Sequence, residues 1–481
     1  MGFNTWNTFV SEATRTRAAV SNDMWGFPLW QACNISEELI LTIATAIAQR
    51  GLQASGYTYV GIDDCWQAEE RSLNGSLEAH PQRFPHGIAS LADTLHSRGL
   101  HLGIYSDYGL KTCAGYPGSY GHYEQDAATF ASWGVDLLKF DRCAPTIDQD
   151  RHPARYYRQM AVALRASGRP ILYSLCNWGR RDEDEGATWE WAAAFAQQWR
   201  TTTDIFPSYA RVYAIIEENA PLSPYARPGA SNDPDMLEVG VNGSLLNVPG
   251  FPAAALSPDE ASLHFSMWCM LSAPLLIGAD VRTAPEWVVD ILRNPEVIAI
   301  DQDELGRQAV RVRTSEEGTF VPLPLVPSDF WGAARLCFGR CRKLAVWVKP
   351  LSSGAAAVAL LNLGDQFSAR RAAFAAEAVG VSGRELELYG ELDLAARAHC
   401  VRDVLRQQDA EHVPAGTDPS RFYLQRADLA PRSHALLVIR PCSMNSCVQP
   451  GEEQPELQRP PNHGDRSRRA HTEMAACREH G

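Results

Sequence analysis

The most constraining feature of this sequence is a regular alternation of apolar strands and amphipathic helices between residues 56 and 282. Strand-like runs include YTYVGIDD, LHLGIYSD, VDLLKFD and PILYSLC, and helical spacing occurs over residues 88–98, 154–166 and 189–198. This alternation predicts a parallel α/β fold, because each helix returns the chain to the start of the next parallel strand. With MGFNTW, WRTTTDI, DMLEVG and PLLIGADV the strands number about eight, which predicts a (β/α)8 TIM barrel.

The chain after residue 306 loses this helical spacing. Four apolar runs there have the length and composition of strands: KLAVWVKPL, AAAVALLNLG, RFYLQRADL and SHALLVIRP. The sequence therefore predicts a barrel domain over residues 1–306 and a C-terminal antiparallel β-sandwich domain over residues 307–441. Residues 442–481 are rich in Pro, Glu, Arg and Gln, and this composition predicts a disordered tail.

Two segments fit neither pattern. Residues 10–31 stand where a short loop should follow the first strand, and residues 319–341 interrupt the start of the β domain. Neither segment has turn chemistry or a clear periodicity, and long structureless segments are uncommon in compact domains. We interpret both as atypical insertions, either unusual loops or translated non-coding sequence.

The charge and hydropathy of the chain indicate the kind of partner. The formal net charge is −13, which argues against a nucleic-acid surface because such surfaces are basic. No stretch approaches the roughly 18 consecutive apolar residues that indicate a membrane span. The sequence thus predicts a small or uncharged partner, with neither nucleic acid nor membrane.

The cysteines and sequons bear on the compartment. Twelve cysteines are too scattered for paired CxxC metal sites, so disulfides in a secreted protein fit better. Sequons at Asn34, Asn74 and Asn242 favour the same interpretation of a secreted glycoprotein. Met1, however, is followed directly by GFNTW, without an apolar signal segment. We therefore expect either a cytosolic protein or a chain that lacks its true beginning.

Polar side chains follow several of the predicted strands. In VDLLKFD, Lys139 and Asp141 are two residues apart, so their side chains point to the same face. Other strand ends carry Asp63, Asp64, Tyr105, Cys176 and Asp204. A single aspartate at such a place is more often a helix cap. A barrel, however, gathers its strand ends around one pocket, so we expect these groups to meet there.

Clustered carboxylates allow two kinds of chemistry. In glycoside hydrolysis one carboxylate acts as nucleophile and the other as acid and base, whereas a divalent metal site also needs several carboxylates. Lys139 beside Asp141 and Arg200 before Asp204 argue against a metal, because fixed cations repel it. In the sugar interpretation, Lys139 would lower the pKa of Asp141 and keep it ionised. Three tryptophans at strand ends would give apolar walls to a sugar: Trp6, Trp66 and Trp178.

Six ordered motifs resemble those of glycoside hydrolase family 27, the α-galactosidases. They are MGFNTWN, GIDDCW, GIYSDYGLKTCAGYPGSYGHYEQDAATFASWGVDLLKFDRC, YSLCNWG, WRTTTDI and NDPDMLEVG. The form LCNWG is similar to the fungal and plant members. The resemblance covers the barrel up to about residue 306, apart from the insertion 10–31, and the β domain matches mainly in its position.

The resemblance implies roles for individual residues. Asp141 matches the nucleophile and Asp204 matches the acid and base. The galactose-binding positions match Trp6, Asp63, Asp64, Tyr105, Lys139, Arg200 and Asp235, and Cys176 and Trp178 match positions beside the sugar 2-hydroxyl. Two disulfides are implied, Cys33 with Cys65 and Cys113 with Cys143, and Cys176 would be a free thiol.

The resemblance also implies an activity. It is that of a retaining α-galactosidase that hydrolyses terminal, non-reducing α-D-galactose from melibiose, raffinose-type oligosaccharides or galactomannan, without a metal or cofactor. Two related activities stay open, α-N-acetylgalactosaminidase and β-L-arabinopyranosidase. An alternative from another class is a non-catalytic galactose-binding or misfolded product of a faulty gene model.

Overall fold

The alternation in the sequence produces a parallel sheet of eight strands. The strands are β1 (Gly2–Asn4), β2 (Tyr59–Gly61), β3 (His101–Asp107), β4 (Leu137–Asp141), β5 (Leu172–Leu175), β6 (Gln198–Arg200), β7 (Ser231–Asp233) and β8 (Leu276–Ile277). β1 pairs with both β2 and β8, and Leu237, just after β7, forms a parallel bridge to Ile277. This bridge closes the sheet and confirms the predicted TIM barrel.

A computed structural model of the chain describes residues 1–10, 33–241, 255–322, 335–363, 379–426, 429–430 and 432–442. The predicted tail after residue 442 and residues 11–31 of the first insertion lie outside the described residues, as does the sequon at Asn242. Asn34 and Asn74 are exposed. Among the described residues, no helix has the length and apolar character needed to cross a membrane.

Some of the barrel helices begin at a residue whose side chain caps them. The helices of the barrel are α1 (Glu37–Gln49), α2 (Gly87–Ser97), α3 (Tyr123–Ser132), α4 (Ile147–Arg151), α5 (Pro153–Ala166), α6 (Thr188–Trp191), α7 (Tyr209–Asn219), α8 (Pro258–Met270), α9 (Glu286–Leu292) and α10 (Pro295–Asp301). The Ser36 side chain accepts from the Leu39 N–H in α1, and Ser257 and Glu260 form a capping box on α8. The predicted helices at 88–98 and 154–166 correspond to α2 and α5.

Two predicted elements differ from the structure. The predicted helix over 189–198 is wrong in its second half, because Gln198 pairs with Ser174 of β5 and Ser231 of β7 and so begins a strand. The predicted strand DMLEVG is displaced, since β7 precedes it and Asp235 has a left-handed φ of 86°, which ends the extended backbone. In both places strand pairing overrides the local pattern.

The C-terminal region is antiparallel. Its elements are β9 (Val310–Pro322), β10 (Arg335–Pro350), β11 (Ala356–Asn362), β12 (Val379–Ser382), α11 (Gly383–Gly390), β13 (His399–Asp403), β14 (Gln408–Val413), β15 (Tyr423–Arg426) and β16 (Ser433–Pro441). Six strands form one sheet in the order β9-β10-β11-β16-β13-β14, and β12 pairs with β15 in a second sheet. The predicted C-terminal antiparallel β domain is confirmed.

The expected irregular segment 319–341 is strand at both ends. Thr319 pairs with Phe338 and Pro322 pairs with Arg335, so β9 and β10 continue their ladder into the segment. Residues 323–334 lie outside the described residues. The interpretation of residues 319–341 as an atypical insertion stays a prediction, because an inserted segment can also pair through its backbone.

The β domain packs on the barrel through alternate residues of β10. Ala345 and Trp347 belong to the core shared with the barrel, whereas Val346 and Val348 belong to the core of the β domain. This is the period of two expected of a strand buried on both faces. Lys349 continues the barrel-facing series, and its Nζ donates to the backbone carbonyl of Ile300 at 2.6 Å. Barrel and β domain thus form one unit, Met1–Cys442.

Candidate active site

Lys139 lies at the centre of a group of side chains at the carboxyl ends of the first four strands. Its Nζ donates to Asp63 Oδ2 at 2.8 Å. The same nitrogen is 5.9 Å from the ring centroid of Trp6 and 5.3 Å from that of Tyr105. Asn4 donates its side-chain amide to Asp63 Oδ2 at 2.9 Å. The cation is thus held by one carboxylate and two aromatic rings.

Asp141 is the last residue of β4 and is 5% exposed. Its Oδ2 accepts from the Tyr105 hydroxyl at 3.0 Å, and its Oδ1 accepts from the Arg142 N–H at 2.8 Å. Burial raises the pKa of the Asp141 carboxyl, Lys139 opposes this, and the charge of Asp204 adds to the rise. The expectation of a lowered pKa is therefore wrong in its net direction, because desolvation exceeds the attraction of Lys139.

Arg200, the last residue of β6, connects two further carboxylates. Its Nη2 lies 3.0 Å from Asp204 Oδ1 and 2.8 Å from Asp235 Oδ2. The two partners differ in exposure, since the side chain of Asp204 is 60% exposed and that of Asp235 is 6% exposed. Asp235 is also fixed by the backbone N–H groups of Ile205 and Met236. Burial raises its pKa in spite of the nearby guanidinium.

Asp63 and Asp64 follow β2 and are both buried. Asp64 accepts from the Cys65 N–H at 2.8 Å and from the Ala114 N–H at 2.6 Å. Burial raises the pKa of Asp64 to about 7, although these two hydrogen bonds oppose the shift. The Asp63 N–H donates to the hydroxyl of Thr5, which follows β1. The pair is therefore fixed by backbone contacts to two neighbouring loops.

Two disulfides stand next to these carboxylates. Cys33 is joined to Cys65 and Cys113 to Cys143, the pairs that the family resemblance implies. Cys65 directly follows Asp64, and Cys143 comes two residues after Asp141. The disulfides thus fasten the loops after β2 and β4 close to their carboxylates.

Cys176 and Trp178 follow β5. Cys176 is a buried free thiol, and its sulfur lies 3.6 Å from Arg200 Nη1. Trp178 is half-buried and has a left-handed φ of 53°. At the next residue, Gly179, a Cβ would lie 2.0 Å from the Thr201 carbonyl oxygen, so only glycine fits. This tight turn places the loop after β5 against the loop after β6.

The chain matches two family models. Residues 28–303 match the one described as alpha galactosidase A, and residues 342–439 match the alpha galactosidase C-terminal beta sandwich domain. Alpha-galactosidase 2 of Arabidopsis thaliana is 41% identical over 365 residues, which is 76% of this chain and 75% of that protein. The chain belongs to glycoside hydrolase family 27, the α-galactosidases.

Solved structures of this family have the same architecture. Alpha-galactosidase I from Mortierella vinacea aligns with a TM-score of 0.69 and 30% identity, over 91% of this chain and 96% of that one. The α-galactosidase of Saccharomyces cerevisiae with raffinose aligns with a TM-score of 0.69 and 27% identity, over 92% and 97% of the two chains. This family 27 member is therefore a glycoside hydrolase.

Three polar groups that support the site of this family 27 chain are not among the residues predicted from its sequence. Asn4 donates to Asp63, and Asp107 accepts from the Cys143 N–H at 2.7 Å. Arg142 is buried and donates to Asn177 Oδ1 at 2.8 Å, which connects the loops after β4 and β5. Asn4 and Asp107 end their strands, so the rule that identified Asp141 would also have found them.

Two carboxylates of the candidate site already have cationic partners, and this argues against the alternative of a metal site. A cavity inside the barrel is lined by Lys139, Cys176, Arg200 and Asp235 among others. Asp63 pairs with Lys139, and Asp235 pairs with Arg200. These cations neutralise the carboxylates and would repel a divalent ion. The donors and acceptors instead suit the hydroxyls of an uncharged sugar.

Proposed function

We propose that this family 27 enzyme hydrolyses terminal α-linked galactose by double displacement, with Asp141 as nucleophile and Asp204 as acid and base. The observation that carries the proposal is the different environment of the two carboxylates. Asp141 is buried and held by two hydrogen bonds, whereas Asp204 is exposed and paired with Arg200. Carboxylates in contrasting environments are typical of glycosidases, because one must attack and the other must exchange protons.

In the first step, an Asp141 oxygen attacks the anomeric carbon while Asp204 protonates the departing glycosidic oxygen. The Tyr105 hydroxyl and the Arg142 N–H hold the Asp141 carboxylate in one orientation. Burial weakens the hydration of this carboxylate and raises its pKa, and the positive charge of Lys139 opposes that rise. In the second step, Asp204 takes a proton from water, which attacks the same carbon, releases α-galactose and restores Asp141.

Galactose recognition is assigned to the remaining predicted residues. Asp63 and Asp64 would accept from the 4- and 6-hydroxyls, which favours galactose over glucose because the 4-epimer would leave a buried carboxylate unpaired. Arg200 Nε is buried and has no hydrogen-bond partner in the described part of the chain, so it is available to a sugar hydroxyl. Trp6 would pack on the sugar face, and Trp178 would exclude a 2-acetamido group.

Galactoside oligosaccharides such as melibiose and raffinose, or galactomannan, are the proposed substrates. The yeast family member with raffinose supports this class. The N-acetylgalactosaminidase, arabinopyranosidase and non-catalytic alternatives are not favoured, because the relatives reported above are α-galactosidases. We also propose an extracellular location, which the disulfides and the exposed Asn34 and Asn74 support.

The proposal is tested by following an aryl α-galactoside by NMR and by azide rescue. Retention requires α-galactose as the first product, and β-galactose would overturn double displacement. With Asp141→Ala, azide should replace the nucleophile and give β-galactosyl azide. With Asp204→Ala, azide should attack the covalent intermediate and give α-galactosyl azide. The opposite anomers would exchange the two roles.

A further inference from the structure

Two histidines and an aspartate meet at the amino-terminal end of the barrel. His96 lies in the last turn of α2, His101 begins β3, and Asp136 directly precedes β4. His96 Nε2 is 2.8 Å from Asp136 Oδ2, and His101 Nδ1 is 3.7 Å from the same oxygen. One ligand atom from each residue lies within 4.8 Å of the other two.

We propose that His96, His101 and Asp136 bind a divalent transition-metal ion such as Zn²⁺, with water completing the coordination. Zinc binds imidazole nitrogen and carboxylate oxygen at about 2.0–2.2 Å, so neighbouring ligands of a tetrahedral ion are roughly 3.3 Å apart. The two nitrogen–oxygen distances, 2.8 and 3.7 Å, lie on either side of this value. Small side-chain rotations would therefore create the site.

The exposure of the three side chains leaves room for the ion and its water. His101 is 47% exposed and His96 is 32% exposed, whereas Asp136 is 13% exposed. The ion would take the position of the hydrogen between His96 Nε2 and Asp136 Oδ2, and that hydrogen would move to Nδ1 of the same ring or leave to solvent. Imidazole ligands favour Zn²⁺ over Mg²⁺, which prefers an all-oxygen shell.

Arg169 fixes one oxygen of Asp136, and its guanidinium is more exposed than the Lys139 and Arg200 cations of the active-site pocket, so solvent screens its repulsion of an ion. Its Nη2 lies 2.7 Å from Asp136 Oδ1, the oxygen that neither histidine approaches. The Leu102 N–H donates to Oδ2 at 2.8 Å. Hydrogen bonds of this kind orient metal-binding carboxylates. Asp136 can thus present Oδ2 to the ion while Arg169 holds Oδ1.

The site would stabilise the barrel without touching the reaction. β3 carries His101 at one end and Asp107 at the other, so the ion and Asp141 would be separated by about 20 Å along the strand. A bound ion would connect α2, β3 and the start of β4. Galactosidase activity should be the same with and without zinc, and this separates the inference from the proposed function.

The test is calorimetric titration of the full chain with Zn²⁺, with Mg²⁺ as the control ion. We expect one zinc site, at least tenfold weaker in His96→Gln and in His101→Gln and unchanged in the exposed control His412→Gln. At a hundredfold excess over Kd, Tm should rise by about 3 °C in the parent and in the control alone. An equal zinc response in the variant with both His96→Gln and His101→Gln would overturn the site.

Cobalt gives a second readout that needs no variant. Co²⁺ in a nitrogen and oxygen site of four ligands absorbs visible light far more strongly than the hydrated ion. We expect this absorption to appear with Co²⁺ and to disappear on addition of Zn²⁺. A spectrum that stays that of the hydrated ion would contradict the proposal even if the histidine variants failed to fold.

Discussion

Several charged residues at the two ends of the barrel differ in burial and in the direction of their pKa shifts. At the carboxyl end Asp141 and Asp235 are buried with raised pKa values, and Cys65, Trp178 and Asp235 have left-handed backbone. At the amino end Asp136 keeps partial exposure, and the hydrogen bond from His96 helps to lower its pKa although burial opposes this. The carboxyl end thus combines buried charge and left-handed backbone where substrate would bind, at a cost in stability that the partly exposed group around Asp136 avoids.

The largest predicted effect comes from neutralising one carboxylate at each end. Asp141→Asn should lower kcat on the order of 10⁴-fold, because the variant has no nucleophile. It should also raise Tm at pH 7, since folding raises the pKa of Asp141 and the neutral amide avoids burying charge. Asp136→Asn, measured with a chelator present, should have a lower Tm than the parent and an unchanged kcat. If the two variants shifted Tm in the same direction, the proposed difference between the two ends would be contradicted.

The second prediction concerns Lys349, where the β domain covers the amino end. Its Nζ donates to the carbonyls of Cys269 and Ile300 and to the Ser272 hydroxyl, and Asp301 is nearby. Lys349→Met should lower the free energy of unfolding by about 3–5 kcal/mol, because these acceptors and a buried carboxyl lose their cation. Urea unfolding measures the loss, and kcat of the folded enzyme should not change. Adding Asp301→Asn should recover part of the stability; a loss below about 1 kcal/mol would contradict the prediction.

The third prediction compares Asp64 at the carboxyl end with Asp301 at the amino end. Burial raises both pKa values to about 7. Between about pH 4 and 7 the folded chain therefore binds more protons than the unfolded chain, so each group lowers stability as pH rises, by about 1.4 kcal/mol per pH unit. Asp64→Asn and Asp301→Asn should each reduce the fall in Tm between pH 5 and pH 7.

Activity separates these two variants. Asp64→Asn should raise KM strongly because Asp64 is assigned to a sugar hydroxyl, whereas Asp301→Asn should leave KM unchanged. Buried His264 and His434, whose pKa values burial lowers to about 3, add the opposite slope below about pH 6.5 in the parent and in both variants alike. The comparison of each variant with the parent therefore isolates the carboxyl groups. If a variant showed the same change of Tm with pH as the parent, its carboxyl group would not contribute to the pH dependence of stability.

The barrel could be predicted because its strands are short apolar runs separated by amphipathic helices. Lys139 and Asp141 could be predicted as neighbours of one pocket because period-two spacing and strand ends fix their direction. The direction of the pKa shift of Asp141 could not be predicted, because a sequence shows which cation is nearby but not how deeply the carboxyl group is buried. Here the depth of burial determines the direction of the shift, since desolvation raises the pKa more than Lys139 lowers it.

Elements held mainly by backbone pairing escaped prediction. β14 is exposed at all but its last residue, so its sequence QDAEHV has no apolar face to identify it. It is a strand because it pairs with β13. The disulfide between Cys400 and Cys442 was missed for a similar reason, since only the pairing of β13 with β16 brings the two cysteines together.

The smallest predicted effect tests the comparison with two matched arginines. Arg169 Nη2 lies 2.7 Å from Asp136 and Arg200 Nη2 lies 2.8 Å from Asp235, but their side chains are 32% and 4% exposed. Arg169→Met should cost about 1 kcal/mol or less, because water solvates Asp136 when the guanidinium is removed, and the cost should shrink in high salt. Arg200→Met should cost several times more, since it leaves Asp235 buried without its cation. If urea unfolding gave equal losses of stability for the two variants, exposure would not explain the difference between the ends. The hydrogen bonds of Arg169 to the carbonyls of residues 134 and 135 would then have to account for the stability that Arg169 contributes at the amino end.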